Sequence, residues 1–427
     1  MCQMKHRPID YSLADFFVSD SPNVMQPPQE FLQWREEGDW VFRQYEPCFA
    51  GPPAPRTFLM DGEQKRPIVN LGTYGYLGLN QHPDIVAASQ AALLQYGTGC
   101  CGSPMLSGRT DLLLKLEQRL RQLLRKEEII VFSSGFAGAL GSVSGLVRRG
   151  DVVVADRLTH MSSLDGAKLS NAKLVFFEHN DPESLDQVLT NERAARRMVI
   201  LEGIYSMDGD MARLPELLDV AESHGVPVFV DEAHSILACG PTGGGVVDHF
   251  GAQDRVAVHL GSSSKAISLM GGFVGGSEET IRYMRCYAHT YLFSAGLPPV
   301  LIGGTLAALE VAEREPERRQ RLWDNAAYLR KNLHALGIDT GLSSTYIIPI
   351  MVGEDRELLY MACARLRERG LFLTPIDYPT VAQDQTRYRA TVSAAHTQAD
   401  LDLALNILED TLVPMFRSKG LLRQGQT

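Results

Sequence analysis

The chain has 427 residues, enough for two domains at roughly 100–200 residues each. At 44% hydrophobic and 22% charged it is an ordinary globular composition with material for a large core. A formal charge of −10 argues against general nucleic-acid binding, which needs a basic surface, but leaves room for a local site for an anionic small molecule. The seven cysteines show no paired metal-ligand spacing, so no metal site is expected and reduced thiols are the simplest reading. The opening MCQMKHRPIDYS is polar, and no apolar run reaches spanning length. A soluble, cytoplasmic protein is expected.

Residues 1–68 read as an N-terminal arm, interrupted by Pro27, Pro28, Pro52, Pro53 and Pro55. Trp34, Trp40 and Phe42 offer it anchors, on a partner subunit or on its own domain. From residue 69 to about 300 a larger domain is expected. Leu113, Leu116, Leu120 and Leu124 mark a helical stripe over 110–126. Short apolar runs then alternate with helical segments: IIVF (129–132), VVVA (152–155), LVFF (174–177), MVIL (198–201), VPVFV (226–230) and VAVHL (256–260). Continuous apolar strands alternating with helices predict a mostly parallel α/β sheet covered on both faces. Functional groups should then gather where loops leave the carboxyl ends of strands. Over 301–427 a smaller α+β domain is expected. Leu322, Ala326, Leu329, Leu333 and Leu336 form a long amphipathic helix ended by Gly337, and YIIPIMV (346–352) and YRATVSA (388–394) read as strands.

Four signals fall at strand ends. In VFVDEAHS, Asp231 stands straight after a buried run, three residues before His234. It can cap the following turn, or it can face a cationic ring nitrogen such as that of pyridoxal phosphate (PLP). In GSSSKAISLMGG, a single lysine, Lys265, sits in a tight Gly-bounded turn. It can be a surface lysine or a Schiff-base amine; the hydroxyls of Ser262 and Ser264 favour a phosphate beside it. In FSSGFAGAL, a strand enters Ser-Ser-Gly and then a helix, where free N–H groups bind phosphate and Gly135 permits close approach. In DRLTHMSSLDG, His160 is either a structural histidine or one that stacks on a ring. Neither GxxxxGK[ST] nor an opening GxGxxG is present, which weighs against nucleotide and nicotinamide readings.

The order of these signals, with NLGTYGYLGL, YGTGCCGSPMLSG, LEGIYSMDGD, YLFSAGLPP and RATVSAAHT, resembles the α-oxoamine synthases of the fold-type I PLP enzymes. The likeness runs from about residue 69 to 412 and is closest to soluble bacterial serine palmitoyltransferases. It implies an aspartate aminotransferase-like fold and a PLP cofactor. It also implies decarboxylative condensation of an amino acid, serine favoured, with an acyl thioester carried on coenzyme A or an acyl-carrier protein. Sphingolipid biosynthesis is the process it suggests, and contact with a membrane surface stays open because long-chain substrates reside there.

Carried over by motif, Lys265 holds PLP and abstracts the α-proton, Asp231 pairs with the ring nitrogen, and His234 bonds the ring hydroxyl. His160 stacks on the ring. Ser134, Gly135, Phe136, Ser262 and Ser264 frame the phosphate, while Glu202 and Ser206 line the site. Arg389 and Tyr74 meet substrate, and Ser294 reaches the phosphate of a homodimeric neighbour in a shared active site. Some positions depart from the family pattern. Ala295 replaces a common hydroxyl residue, Leu113 replaces a frequent His, Gly75 replaces Asn or Asp, and PIDYP (375–379) is more polar than usual. Gly75 and PIDYP bear on substrate identity. Glycine- or alanine-using synthases of the 8-amino-7-oxononanoate type, other PLP reactions and a non-catalytic regulatory subunit remain alternatives; the presence of Lys265 weighs against the last.

Overall fold

The computed structural model describes residues 7–17 and 22–423. Residues 1–6 and 18–21 of the expected arm, and 424–427 of the expected C-terminal domain, lie outside the described residues. In chain order the strands are β1 (Arg56–Asp61), β2 (Gln64–Asn70), β3 (Glu128–Phe132), β4 (Val152–Asp156), β5 (Lys173–Phe177), β6 (Arg197–Glu202) and β7 (Val228–Asp231). They continue with β8 (Val258–Ser262), β9 (Gly272–Gly276), β10 (Ile347–Gly353), β11 (Leu371–Phe372), β12 (Thr374–Ile376) and β13 (Thr386–Thr391).

The chain forms two compact units. One comprises residues 74–206 and 210–322. It holds a seven-stranded sheet of order β3-β9-β8-β7-β6-β4-β5. β4 pairs in parallel with β5 and β6, β6 with β7, and β7 with β8, each crossover carrying one or more helices. β9 alone runs antiparallel, to both β8 and β3, because only a short turn containing Lys265 joins it to β8. Parallel strands covered on both faces have no solvent side, so their side chains are apolar in succession. Val153, Ala155, Ile200, Phe229, Val258 and Leu260 accordingly share a core with Ala139, Val143, Ile281 and Met284 from covering helices. β5 departs from this pattern. It lies at the sheet edge, and its apolar run is only partly covered, with Phe176 exposed. The helix Pro299–Arg314 belongs to this unit, packing Ile302, Ala308 and Val311 inward and lying on the helix Pro83–Tyr96. The change of unit falls at Leu322/Trp323, inside the helix Glu317–Ala335, not at residue 300.

The other unit gathers the described residues up to Thr73, residues 207–209 and 323 onward. It contains the antiparallel sheet β10-β13-β12 and the small sheet β1-β2-β11, giving the α+β character expected of the C-terminal part. Trp34 of the arm is buried between Phe16 and Phe42 and donates from Nε1 to the Pro8 carbonyl at 2.8 Å. Trp40, expected as an anchor, is partly exposed and meets Tyr360 edge-on. Two arginines of the helix Arg356–Glu368 hold the arm's backbone. Arg356 donates to the carbonyls of Ile9 and Tyr11, and Arg367 to those of Arg43 and Gln44. No helix among the described residues is long and apolar enough to cross a membrane.

Candidate active site

A cavity of about 220 Å³ opens at the carboxyl ends of the central strands. It is lined by Ser134, Gly135 and Phe136 after β3, His160 and Ser162 after β4, Glu202 ending β6, Asp231, Ala233 and His234 at and after β7, and Leu260, Ser262, Ser264 and Lys265 at and after β8. A parallel sheet points all its carboxyl ends one way, so residues scattered over 130 positions meet there.

One wall is a turn without room for side chains. Ser134 caps the helix Gly135–Leu146, its Oγ accepting from Ala137 N–H at 3.1 Å. A Cβ on Gly135 would lie 2.7 Å from Ser262 Oγ. A Cβ on Gly272, where β9 passes behind, would lie 2.3 Å from the Ser134 carbonyl oxygen. The backbone is thus drawn against β8 and β9, with the helix's first N–H groups and the paired hydroxyls of Ser262 and Ser264 (2.9 Å) together at the cavity. Free N–H groups at a helix start with hydroxyls beside them suit a phosphate.

Another wall is acidic and buried. Asp231 is buried, and one carboxylate oxygen accepts from Ala233 N–H at 2.9 Å. Burial raises its pKa above the usual carboxylate value, so a cation close by is favoured. Burial, with the charge of Asp231, pushes Glu202 well up; Glu202 accepts from the backbone N–H of His160. His160 is the N-cap of the helix Met161–Leu169. Its Nδ1 accepts from Ser162 N–H at 3.3 Å and lies 2.7 Å from Ser162 Oγ. Burial lowers the His160 pKa, so near neutral pH the ring is uncharged, with its proton on Nε2. His234 Nδ1 and the buried Tyr76 hydroxyl share a hydrogen bond of 2.7 Å. A cavity with an anion cradle, a buried carboxylate and a half-buried lysine fits a phosphorylated, cationic aromatic aldehyde. PLP has these features.

The structure thus brings Ser134, Gly135, Phe136, His160, Glu202, Asp231, His234, Ser262, Ser264 and Lys265 together. Tyr74 stands beside them, its ring centroid 6.2 Å from that of His234. Ser206 is half-buried in the hairpin after β6 and does not line the cavity. Neither does Ser294, whose hydroxyl turns to the Ala295 carbonyl at 3.4 Å. Arg389 belongs to the other unit, where it is buried on β13 with Nη1 3.7 Å from Met207 Sδ. Leu113 is buried on its helical stripe as packing. A Cβ on Gly75 would meet only Ser268 Oγ, at 3.7 Å, so this glycine leaves open space. Ser162 and Tyr76 were missed. Both stand inside motifs singled out above, two residues beyond His160 and Tyr74, and only folding shows which hydroxyl meets which ring.

Residues 66–408 match the aminotransferase class I and II family, and the chain belongs to it. An 8-amino-7-oxononanoate synthase of Symbiobacterium thermophilum is 40% identical over 356 residues, 83% of this chain and 90% of that protein. A serine palmitoyltransferase of Sphingobacterium spiritivorum is 36% identical over 348 residues, 80% of this chain and 87% of that one. A serine palmitoyltransferase variant from S. paucimobilis, solved with a PLP–myriocin aldimine, superposes with a TM-score of 0.86 at 31% identity, covering 92% of this chain and 98% of that one. Within the family, these similarities fit the α-oxoamine synthases and the fold-type I PLP architecture.

Proposed function

We propose that the chain is a PLP-dependent α-oxoamine synthase that joins an amino acid, serine first, to an acyl thioester. An α-amino ketone, carbon dioxide and a free thiol are the products. The observation that carries this reading is the meeting of Lys265, Asp231, His234 and His160 with the closed Gly135–Ser262 cradle in one cavity. Bound there, PLP supplies an electron sink for a carbanion at the amino acid's α-carbon. Ser134, Gly135, Phe136, Ser262 and Ser264 would hold its phosphate, Asp231 its ring nitrogen, His234 its ring hydroxyl and Lys265 its aldehyde carbon.

The chain's own groups then divide the work. The Asp231 carboxylate, buried and in need of a cation, keeps a proton on the ring nitrogen. Lys265 Nζ takes the α-proton and returns one after carbon dioxide leaves. Neutral His160, its Nδ1 occupied by Ser162, presents an Nε2–H donor to a carboxylate or to the acyl carbonyl. Tyr76 fixes the His234 ring. The roles of Arg389 as carboxylate anchor, Tyr74 as substrate contact, and Glu202 and Ser206 as site lining belong to this proposal. So does a homodimer in which Ser294 reaches the neighbour's cofactor. What supports that dimer is exposed apolar surface at Phe293, beside Ser294, and at Leu106, in a loop hydrogen-bonded to the Ser294 loop. Gly296 N–H donates there to the Gly102 carbonyl at 2.9 Å.

A second amino acid is favoured by a specific observation. Relatives named 8-amino-7-oxononanoate synthase, at 37–40% identity, match at least as well as the serine palmitoyltransferase at 36%. The test is an absorbance titration of the PLP-loaded protein with L-serine, glycine and L-alanine in turn, then with acyl-coenzyme A or acyl-carrier protein. The expected result is a visible band that shifts with one amino acid, followed by thiol and carbon dioxide release. In Lys265→Ala the lysine-linked band of the amino-acid-free protein, freed of unbound PLP, should vanish and turnover should stop. No visible band after PLP is added, or turnover surviving Lys265→Ala, would overturn the reading and bring the non-catalytic subunit forward.

A further inference from the structure

Behind the cavity wall lies a buried charged cluster to which no role has been given. His179 follows β5, and its ring bridges two carboxylates. Nδ1–H donates to Asp156 Oδ1 at 2.9 Å and Nε2–H to Asp210 Oδ2 at 3.0 Å. A carboxylate at each nitrogen requires both ring protons, hence an imidazolium. Burial pulls the His179 pKa down, but the two carboxylates outweigh it and take it up to about 10.

Asp156 ends β4 and is fully buried. Besides His179 it accepts from Leu158 N–H (2.8 Å), Asn180 N–H (2.8 Å) and the Tyr205 hydroxyl (2.9 Å). Its own carbonyl accepts from Thr159 N–H at 3.0 Å. These bonds define the turn from Asp156 to His160, whose last backbone N–H is tied to Glu202. On the far side, Asp210 also accepts from Asn180 Nδ2 at 3.0 Å, and Tyr205 stands edge-on to the His179 ring with centroids 4.4 Å apart. The groups facing His179 are therefore Asp156, Asp210, Tyr205 and Asn180.

We infer that His179 is a positioning residue: bridging Asp156 and Asp210, it locks the turn that presents His160 to the cavity. The role assigned to His160 rests on the function proposed above, but the locking of the turn does not. Without the bridging cation two buried carboxylates face each other across a gap, and the Asp156 turn loses one of its four side-chain-held anchors. His160 then samples more than one orientation, and an ill-placed donor costs turnover more than it costs binding.

The test compares wild type, His179→Gln and Asp210→Asn, isotope-labelled on histidine rings, with the His160 signal assigned from its loss in His160→Gln. In ligand-free protein the wild type should give one His160 ring signal. His179→Gln should split or broaden it, and Asp210→Asn should do so to a smaller extent. A single, unmoved His160 signal in both variants overturns the inference. In PLP-loaded protein, the visible band and the affinity for PLP should stay close to wild type, while kcat falls on the order of 10²-fold with a smaller change in KM. A fall in PLP affinity that tracks the thermal midpoint, with the His160 signal intact, marks a merely structural residue and also overturns it. If His179→Gln does not fold, Asp210→Asn decides by the same signal. If wild type binds no PLP, the proposed function fails, whereas the His160 signal of the ligand-free protein still decides this inference.

Discussion

The bridging imidazolium makes stability depend on pH in a direction that can be worked out. His179 has an ordinary value of 6.5 and one of about 10 in the folded chain. A raised folded pKa means that the folded state holds its proton more tightly. The contribution is therefore fully present below about pH 6.5 and is lost as pH rises towards about 10. The separation of these values sets a ceiling of about 5 kcal/mol. The ring is partly reached by water, and the two carboxylates pay their own burial, so about 2–3 kcal/mol is the expected size. Urea unfolding of ligand-free wild type and His179→Gln at pH 6.5, 7, 8 and 9 measures it. Wild type should be more stable at the lowest pH, and its advantage should shrink by about 1–2 kcal/mol between pH 7 and 9. Parallel pH curves for the two proteins would refute a charged His179, and an advantage that grows with pH would reverse the sign of the argument.

Three further outcomes are expected. Gly135→Ala places a Cβ 2.7 Å from Ser262 Oγ and 2.9 Å from Ser262 Cβ, so a PLP titration of the apoprotein should show affinity falling about tenfold, and the thermal midpoint should fall with it because the turn must shift from β8. Ser162→Ala removes the hydroxyl 2.7 Å from His160 Nδ1 and leaves the Ser162 N–H, so kcat should drop about threefold to tenfold for the loss of about 1 kcal/mol, with PLP absorbance unchanged. Arg356→Met strands the buried Asp377 with only Tyr360 and the Tyr378 N–H as partners, and releases the Ile9 and Tyr11 carbonyls. Denaturation should show a loss of about 3–5 kcal/mol, and limited proteolysis should cut near residue 11 sooner.

Much of the site was legible in the sequence because its chemistry is local. A buried apolar run followed at once by Asp231, a lysine inside a glycine-bounded turn and a Ser-Ser-Gly helix start each announce a strand end. The central strands were legible for the same reason: burial on both faces leaves an apolar run, as in β4, β6 and β7; β5 at the edge shows such a run although it is only partly covered, whereas the glycine-rich β9 shows none. What the sequence did not disclose depends on distance in the chain. His179, Asp156 and Asp210 are 23 and 31 residues apart, and HND after β5 reads as a loop leading to a helix cap. Tyr76 and His234 are separated by 158 positions, and no period or propensity relates them. The helix Pro299–Arg314 shows the same limit: its burial beside the helix Pro83–Tyr96 joins segments more than 200 residues apart, which no local pattern relates. Residue type and order therefore pointed to the mostly parallel sheet and to the strand ends at which Lys265, Asp231 and the Ser134–Gly135 turn stand. Only the tertiary structure decided which hydroxyl holds which imidazole and where a buried charge finds its counterion, because such pairings answer to three-dimensional proximity and desolvation, which a linear pattern does not encode.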